Sequence, residues 1–530
     1  MRRFAELLER LAFTPSRNAK LRLITDYLRT TPDPDRGWGL AAITRDVSFA
    51  SVKPAMLRAL VTERVDPELF ALSYDFVGDL AETIALIWPA AGPRDDPALG
   101  EVVARLHAAS RREGPQVVEN LLDRLDGSGR FALLKLATGG LRVGVSARLA
   151  KQALADLGHR DVTEIEELWH GLTPPYVPLF AWLTGKGPKP VSAALAPFRP
   201  VMLSHAIEAA DFDRLDPADY AAEWKWDGIR VQAVAEDDRR RLYSRTGDDI
   251  SNAFPDLLAA LDFDAAIDGE LLVRTETGGI APFSELQQRL NRKTVTATHL
   301  RRYPAHLRAY DLLQRGPDDL RPLPFAERRA ALESLGATLD PARFDLSPLL
   351  AFAGWEDLAA LRADPPDPVI VGVMLKRRDS PYVPGRPKGL WWKWKRDPHV
   401  IDAVLMYAQR GHGKRSGFYS DYTFGVWNEA GELLPVGKAY FGFTDEELVE
   451  IDRWVRHNTI DRFGPVRAVR AEPDHGLVLE VAFEGLARST RHRSGVAMRF
   501  PRIARLRWDK PPAEADHIDT LEALLPPEGA

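Results

Sequence analysis

The sequence predicts a multidomain fold, with an all-α amino-terminal domain, an α+β middle domain and a small carboxyl-terminal β-barrel. At 530 residues the chain is too long for a single hydrophobic core. Apolar residues follow the helical period near the amino terminus and alternate at period two near the carboxyl terminus. Strand and helix patterns are mixed between these regions, so we expect two to four domains of different class.

The amino-terminal region carries the helical pattern. Phe4, Leu7, Leu8 and Leu11 are three and four residues apart, which gives one apolar helix face. Similar spacing recurs near residues 102–106 and 118–125, and β signals are scarce over the first 170 residues. Seven prolines lie between residues 174 and 200, which favours an extended linker. We therefore predict a helical domain over 1–195.

Beyond the linker, strands alternate with helices. The pattern predicts strands over 222–234, 241–244 and 266–274, and a helix over 283–290. A lysine-rich strand ends near Pro398, where we place a second boundary. After it, Leu477, Leu479, Val481 and Phe483 share one face of a short strand, and many such strands suggest a small barrel. The predicted domains are 205–396 and 398–530.

Bulk composition excludes several classes of protein. The chain has no cysteine, which excludes disulfides, thiolate zinc sites and cysteine nucleophiles. No apolar run approaches a membrane span, and Glu6 stands where a signal peptide needs an apolar core, so we expect a cytoplasmic protein with no membrane partner. The net charge of -5 does not decide the substrate, because phosphate binding depends on local clusters.

The most informative stretch is residues 223–230, which read EWKWDGIR. Apolar residues occupy even positions before Asp227-Gly228 and odd positions after it, so we expect the chain to turn there. Lys225 would then lie at the edge of a sheet. One interpretation is an ordinary twisted hairpin with a surface lysine. The other is a lysine nucleophile, which needs nearby cations to favour its neutral amine. Suitable cations are Arg230, Arg245, Lys393 and Lys395.

The pattern Lys-x-Asp-Gly-x-Arg at 225–230 resembles motif I of the covalent nucleotidyltransferases, which include ATP-dependent DNA ligases, RNA ligases and mRNA-capping enzymes. Further stretches resemble the superfamily's motifs in the same order: 266–271 (AIDGEL), 309–313 (AYDLL), 390–395 (LWWKWK) and 505–510 (RLRWDK). The helical region narrows the resemblance to bacterial and archaeal ATP-dependent DNA ligases. It implies an adenylation domain followed by an OB-fold domain.

The resemblance also implies roles for single residues. Lys225 would be the catalytic nucleophile that carries AMP, and Tyr310 would stack on adenine. Glu270 and Asp227 would hold a divalent metal, Mg2+ or Mn2+. The implied ATP-binding residues are Glu223, Arg230, Arg245, Glu270, Tyr310, Arg386, Lys393, Lys395, Arg507 and Lys510. The implied DNA-binding residues are Lys135, Arg142 and Arg148 of the helical domain and Arg289, Arg292 and Lys293 of the middle domain.

One position departs from the family pattern. Where motif IV begins Glu-Gly and supplies a carboxylate for the metal, this chain has Val371-Gly372. Valine cannot bind a cation, and metal ions offset phosphate charge in phosphoryl transfer. Either Glu270 or Asp227 with waters suffices, or the chain is catalytically impaired.

The sequence therefore predicts an ATP-dependent DNA ligase. It would act as a monomer on nicked duplex DNA in the cytoplasm, at the nucleoid. It would join a 3′-hydroxyl to a 5′-phosphate through lysyl-AMP and DNA-adenylate intermediates. The alternatives are an RNA ligase, a capping-type nucleotidyltransferase and an impaired nick-binding protein. The sequence leaves open whether the pathway is replication, repair or end joining.

Overall fold

The computed structural model describes residues 1–89, 95–141, 143–191, 196–290, 292, 294–410, 418–464, 466–490 and 492–525. Contacts divide the chain into two compact units. One contains Met1–Val162, Thr173–Pro190 and Pro398–Gly529, and the other contains Thr163–Leu172 and Val191–Asp397. We call the second the middle unit. Among the described helices, none has the length and apolar character of a membrane span.

The amino-terminal part is helical, as predicted, since no described residue before His205 belongs to a strand. Phe4, Leu7, Leu8 and Leu11 of the first helix are all buried, which confirms the predicted apolar face. The helices are α1 (Arg2–Phe13), α2 (Arg17–Thr30), α3 (Asp35–Thr44), α4 (Pro54–Thr62), α5 (Pro67–Val77), α6 (Leu80–Ile87), α7 (Leu99–Ala108), α8 (Gly114–Arg124), α9 (Gly127–Thr138), α10 (Ala147–Gly158), α11 (Val162–Leu168) and α12 (Val177–Leu183).

Residues 163–172, which the sequence assigns to the helical domain, group with the middle unit. Glu167 accepts a hydrogen bond of 2.8 Å from Arg321, and the His170 ring packs 4.8 Å from the Tyr243 ring. These contacts join a helical segment to the strands that follow it in the chain.

The middle unit contains two sheets. Its strands are β1 (His205–Ala206), β2 (Tyr220–Trp226), β3 (Ile229–Glu236), β4 (Arg239–Ser244), β5 (Ala265–Val273), β6 (Ala305–Arg315), β7 (Asp318–Asp319), β8 (Phe344–Leu346), β9 (Leu349–Leu350), β10 (Ile370–Arg377) and β11 (Trp391–Lys395). Its helices are α13 (Ala209–Phe212), α14 (Pro255–Ala259), α15 (Phe283–Gln287), α16 (Ala297–Arg302), α17 (Phe325–Gly336) and α18 (Trp355–Ala363).

One sheet has the order β1-β11-β10-β2-β9, and the other has the order β4-β3-β5-β6-β7 with β8 paired to β6. Consecutive strands β2 and β3 therefore belong to different sheets. The hairpin interpretation of residues 222–234 is wrong, because the slip at Asp227-Gly228 carries the chain from one sheet to the other.

The carboxyl-terminal part consists mainly of short strands, as predicted. Seven strands form one sheet in which β12 pairs with β13, β16 and β17. Leu477, Leu479, Val481 and Phe483 lie in its buried core. The elements are β12 (His399–Arg410), β13 (Tyr419–Trp427), β14 (Leu433–Ala439), α19 (Asp445–Asn458), β15 (Thr459–Phe463), β16 (Val466–Val469), β17 (Val478–Phe483), β18 (Gly485–Arg488), β19 (Val496–Arg499), β20 (Arg502–Arg507) and α20 (Ile518–Glu522).

Candidate active site

Lys225 lies next to the end of β2, at a break in the ladder between β2 and β10. Two residues of β10, Val371 and Gly372, stand between the pairs that flank Lys225, which is the pattern of a β-bulge. Gly372 has φ +145°, and a Cβ there would lie 2.3 Å from the Trp394 carbonyl oxygen, so this bulge requires glycine. The flanking pairs are Trp226 with Ile370 and Trp224 with Val373.

The turn after Lys225 brings β2 against the second sheet. The Asp227 backbone N–H donates to the Val369 carbonyl at 3.0 Å. A Cβ at Gly228 would lie 2.6 Å from the Leu271 carbonyl oxygen of β5. Only glycine allows this approach, which places the reactive end of β2 beside Glu270.

Asp268 of β5 is the buried centre of a hydrogen-bonded network. Its carboxylate accepts from Arg230 Nε at 3.0 Å and Nη2 at 2.6 Å, from Tyr382 Oη at 2.6 Å and from Tyr310 Oη at 3.2 Å. Arg230 Nη1 donates to the Met202 carbonyl at 2.6 Å. Arg230, which the sequence predicts to be a phosphate-binding cation, has its charge paired with Asp268, and its contact with phosphate stays a prediction.

Glu270 shares the Asp268 face of β5, as predicted, and is half-buried. Burial raises the pKa of Glu270 to about 7, although the charges of Lys225 and Arg230 act in the opposite direction. The influence of Lys225 on this carboxyl indicates that the two side chains are close, so the structure brings the predicted nucleophile and one predicted metal ligand together.

Lys225 also lies near a cluster of cations. The pKa of Lys393 is lowered by burial and then by the positive charges of Lys395, Arg386, Lys225 and Arg245. The pKa of Arg245 is lowered by burial and then by Arg230 and Arg386. Three of the four predicted cations, Arg245, Lys393 and Lys395, are therefore close together, and Arg386 lies with them. We call Arg245, Arg386, Lys393 and Lys395 the pocket cations.

Sequence reasoning missed Lys376, which organises the base of the pocket. Its Nζ is buried, donates to Glu223 Oε2 at 2.9 Å and lies 4.2 Å from the centre of the Tyr310 ring. Glu223 also accepts from Arg329 at 3.4 Å, so it forms a buried ion-pair network, and its contact with the nucleotide stays a prediction. The available signal was a lysine that follows six apolar residues in β10.

Arg507 and Lys510 lie on the barrel, at and after the end of β20. Lys510 Nζ donates to Asp402 at 2.7 Å, and Arg507 donates to both Asp402 and Asp509. The hydrogen bond with Asp509 is the main cause of the raised pKa of Arg507. Both residues are thus paired with acids of the same domain.

The residues predicted to contact DNA differ in burial and in their ion-pair partners. Arg289 is fully buried and holds Asp256 at 2.5 Å and the Ala253 carbonyl, which corrects its assignment to a DNA phosphate. Lys135 pairs with Asp79 at 2.5 Å. Arg148 and Arg292 are exposed. Arg142 and Lys293 lie outside the described residues.

The acids of the pocket fit a magnesium ion only in part. Among the described residues, no three His, Asp or Glu side chains form a group that could hold a metal. Mg2+ is usually bound by one or two carboxylates together with water and substrate phosphates. Glu270 and Asp227 supply that minimum, whereas Val371 faces the bulge without a ligand atom.

Comparison with known proteins decides the family. Residues 201–395 match the ATP dependent DNA ligase domain, and residues 415–510 match the ATP dependent DNA ligase C terminal region. A probable DNA ligase of Koribacter versatilis is 32% identical over 98% of this chain and 95% of its own length. The chain belongs to the ATP-dependent DNA ligases. Family membership confirms the predicted enzyme class and decides against an RNA ligase or a capping enzyme.

Other relatives of this ligase come from both bacteria and archaea. A probable DNA ligase of Beutenbergia cavernae is 30% identical over 97% of both chains. A DNA ligase of Methanoculleus marisnigri is 34% identical over 78% of this chain and 74% of its own. The solved structure "Pmar-Lig_PreS3" covers 95% of this chain and 99% of its own at a TM-score of 0.60 and 15% identity. That likeness supports the multidomain fold alone.

Proposed function

We propose that this ATP-dependent DNA ligase seals nicks in duplex DNA through a covalent adenylate on Lys225. The supporting observation is the position of Lys225 at a bulge, close to Glu270 of β5 and to the pocket cations. Burial and neighbouring cations lower the pKa of Lys393 and of Arg245, so the pocket cations form a site of positive charge that a triphosphate would offset.

In the proposed first step, Lys225 Nζ attacks the α-phosphorus of ATP. A phosphorus–nitrogen bond forms, the bond to the bridging oxygen breaks, pyrophosphate leaves and the amine gives up a proton. The pocket cations stabilise charge on the phosphate oxygens as it moves to the leaving group. Tyr310 offers its ring to adenine on the side away from Lys376.

In the proposed later steps, the nucleotide passes to DNA. The 5′-phosphate at a nick attacks the lysyl adenylate, which frees Lys225 and forms a DNA-adenylate. The 3′-oxygen then attacks that 5′-phosphorus, and AMP leaves as the new phosphodiester bond forms. Arg507 and Lys510 of the barrel would act on the β- and γ-phosphates in the first step, after exchanging Asp402 for phosphate.

A divalent metal, Mg2+ or Mn2+, would be held by Glu270 and Asp227. When bound, such an ion offsets phosphate charge and orients the reacting groups. We propose that nicked duplex DNA is bound by a ligase monomer through sequence-independent phosphate contacts. Arg148 of α10 and Arg292 of the middle unit are exposed and suit such contacts.

Incubation with ATP labelled on the α-phosphate tests this proposal. The wild-type chain is expected to take up label and to seal nicked DNA, and Lys225→Ala is expected to lose both. Lys186→Ala, which changes an exposed lysine of the helical region, should behave as wild type. Absence of label on the wild-type chain would support the impaired nick-binding alternative and overturn the proposal.

A further inference from the structure

The ligase carries a second arginine beside the reactive strand, Arg308 of β6, for which the proposed mechanism has no role. Its guanidinium carbon lies 4.0 Å from the centre of the Trp226 ring, and Trp226 is the residue after Lys225. Arg308 belongs to the six-stranded sheet and Trp226 to the five-stranded sheet. The contact therefore joins the two sheets next to the nucleophile.

Asp345 holds Arg308 in place from the neighbouring strand β8. The two residues are partners in the parallel ladder between β6 and β8. Arg308 Nε donates to Asp345 Oδ1 at 2.9 Å, and Nη2 donates to Oδ2 at 2.5 Å. His306 Nε2 lies 3.2 Å from the same carboxylate. A bidentate pair of this kind fixes the plane of the guanidinium, which a single contact would not.

The backbone pairing of β2 is irregular next to Lys225. Two residues of β10, Val371 and Gly372, stand opposite Lys225 at the bulge, and the described pairs of β2 with β9 lie at Ala222 and Glu223. The Trp226 indole N–H is buried and makes no hydrogen bond within the described part of the chain. Packing, including the stack under Arg308, therefore sets the position of the ring.

We propose that Arg308 is a positioning residue for Lys225. Stacked on Trp226 and anchored by Asp345, it holds the end of β2 so that Lys225 Nζ faces the α-phosphorus of bound ATP. This inference rests on the proposed adenylation of Lys225. It predicts an effect on the chemical step with little effect on nucleotide binding, because Arg308 acts through Trp226 and does not contact ATP.

Single-turnover adenylation at a series of ATP concentrations tests the inference. Arg308→Ala is expected to lower the maximal rate about tenfold or more, since small misplacements of a nucleophile are costly. The ATP concentration for half-maximal rate should change less than about twofold. Arg308→Lys should also lose rate, because lysine keeps the charge but not the planar stack. Trp226→Phe, which keeps a ring, should retain most of the rate.

A double-mutant cycle shows whether Arg308 and Trp226 act through their contact or independently of each other. If Arg308 acts through Trp226, then Arg308→Ala combined with Trp226→Ala loses no more rate than the worse single variant. Additive losses, or a raised half-maximal ATP concentration for Arg308→Ala alone, would mean that Arg308 contacts substrate directly and would overturn the inference.

The matched control is Arg36→Ala in the helical region. Arg36 lies 4.2 Å from the centre of the Phe180 ring and forms an ion pair of 2.6 Å with Asp33, so it has the same kind of environment far along the chain. Its removal should leave adenylation unchanged, because that step requires no DNA.

Amide hydrogen exchange distinguishes failure of this inference from failure of the proposed function. Arg308→Ala should speed exchange in the peptide around Trp226 and Asp227, whether or not the protein takes up label. Unchanged exchange together with an unchanged rate would overturn the positioning role while a labelled Lys225 keeps the proposed function intact. An unlabelled wild-type chain would end the proposed function, and exchange alone would then decide the role of Arg308.

Discussion

The pocket cations and the barrel cations carry the same charge in opposite surroundings. In the pocket, burial and neighbouring positive charges lower the pKa of Lys393 and Arg245. In the barrel, Asp509 raises the pKa of Arg507, and Lys510 is held by Asp402 at 2.7 Å. Positive neighbours thus dominate the surroundings of Lys393 and Arg245, whereas carboxylates dominate those of Arg507 and Lys510.

This difference predicts unequal contributions of the two sets of cations to nucleotide binding. Excess positive charge in a partly desolvated pocket favours a triphosphate strongly, because charge interactions are less screened there. In the proposed mechanism the barrel cations exchange a carboxylate for a phosphate, so we expect their net contribution to nucleotide affinity to be smaller.

The largest effect is expected from Lys393→Ala. Loss of one pocket cation should lower the adenylation rate about 100-fold, or about 3 kcal/mol in the barrier, as for other donors aimed at developing charge. Rapid-quench measurement of adenylate formation checks this. Lys388→Ala, an exposed lysine nearby in sequence, is the control. A loss of less than about threefold for Lys393→Ala would mean that this pocket cation does not stabilise the charge that develops on the phosphates.

A smaller effect, on the stability of the fold at acid pH, is expected from two carboxyl groups whose pKa values are similarly low. The Arg308 and His306 side chains hold the pKa of Asp345 down to about 2, and hydrogen bonding with Arg507 holds the pKa of Asp509 at about 2. A carboxyl whose pKa in the folded protein is below its ordinary value of 3.8 stabilises the folded state at pH values above 3.8. That contribution is expected to be lost as the pH falls from 3.8 through 2. For the half-buried Asp345 we expect about 1 kcal/mol after screening.

Urea unfolding at pH 2–5 checks this prediction. Asp345→Asn should reduce the fall in stability at acid pH, in low and high salt alike. Asp509→Asn should reduce it only in low salt, because that pair is exposed. Identical salt dependence of the two variants would contradict the contrast between middle unit and barrel.

The smallest effect is expected from Asp402→Asn. Without this carboxylate, Arg507 and Lys510 are free for phosphate, and half-maximal adenylation should need about threefold less ATP. Asp421→Asn, which removes the 3.0 Å partner of Lys438 on the same barrel, should leave the ATP requirement unchanged. A higher ATP requirement for Asp402→Asn would mean that the acid positions these cations and does not compete for them.

Sequence reasoning succeeded where the information lies in a short contiguous stretch. The turn at Asp227-Gly228, the shared face of Asp268 and Glu270, and the paired lysines 393 and 395 depend on strand periodicity within a few residues. The helical and β-rich regions were recognisable for the same reason.

It failed where a partner comes from far along the chain. Arg289 is neutralised by Asp256, 33 residues away, and Glu223 by Lys376, 153 residues away. Nothing next to Arg289 distinguishes a buried arginine from a DNA-binding one, because pairing in the folded state removes its cost of burial. The assignment of β2 and β3 to different sheets is likewise a long-range property.

Peptide mapping of the adenylated protein shows which side chain carries AMP. After incubation with ATP, we expect a single AMP on the peptide that contains Lys225, and its removal when nicked DNA is added and sealed. AMP on any other side chain, or sealing by a chain that never forms the adduct, would contradict that expectation.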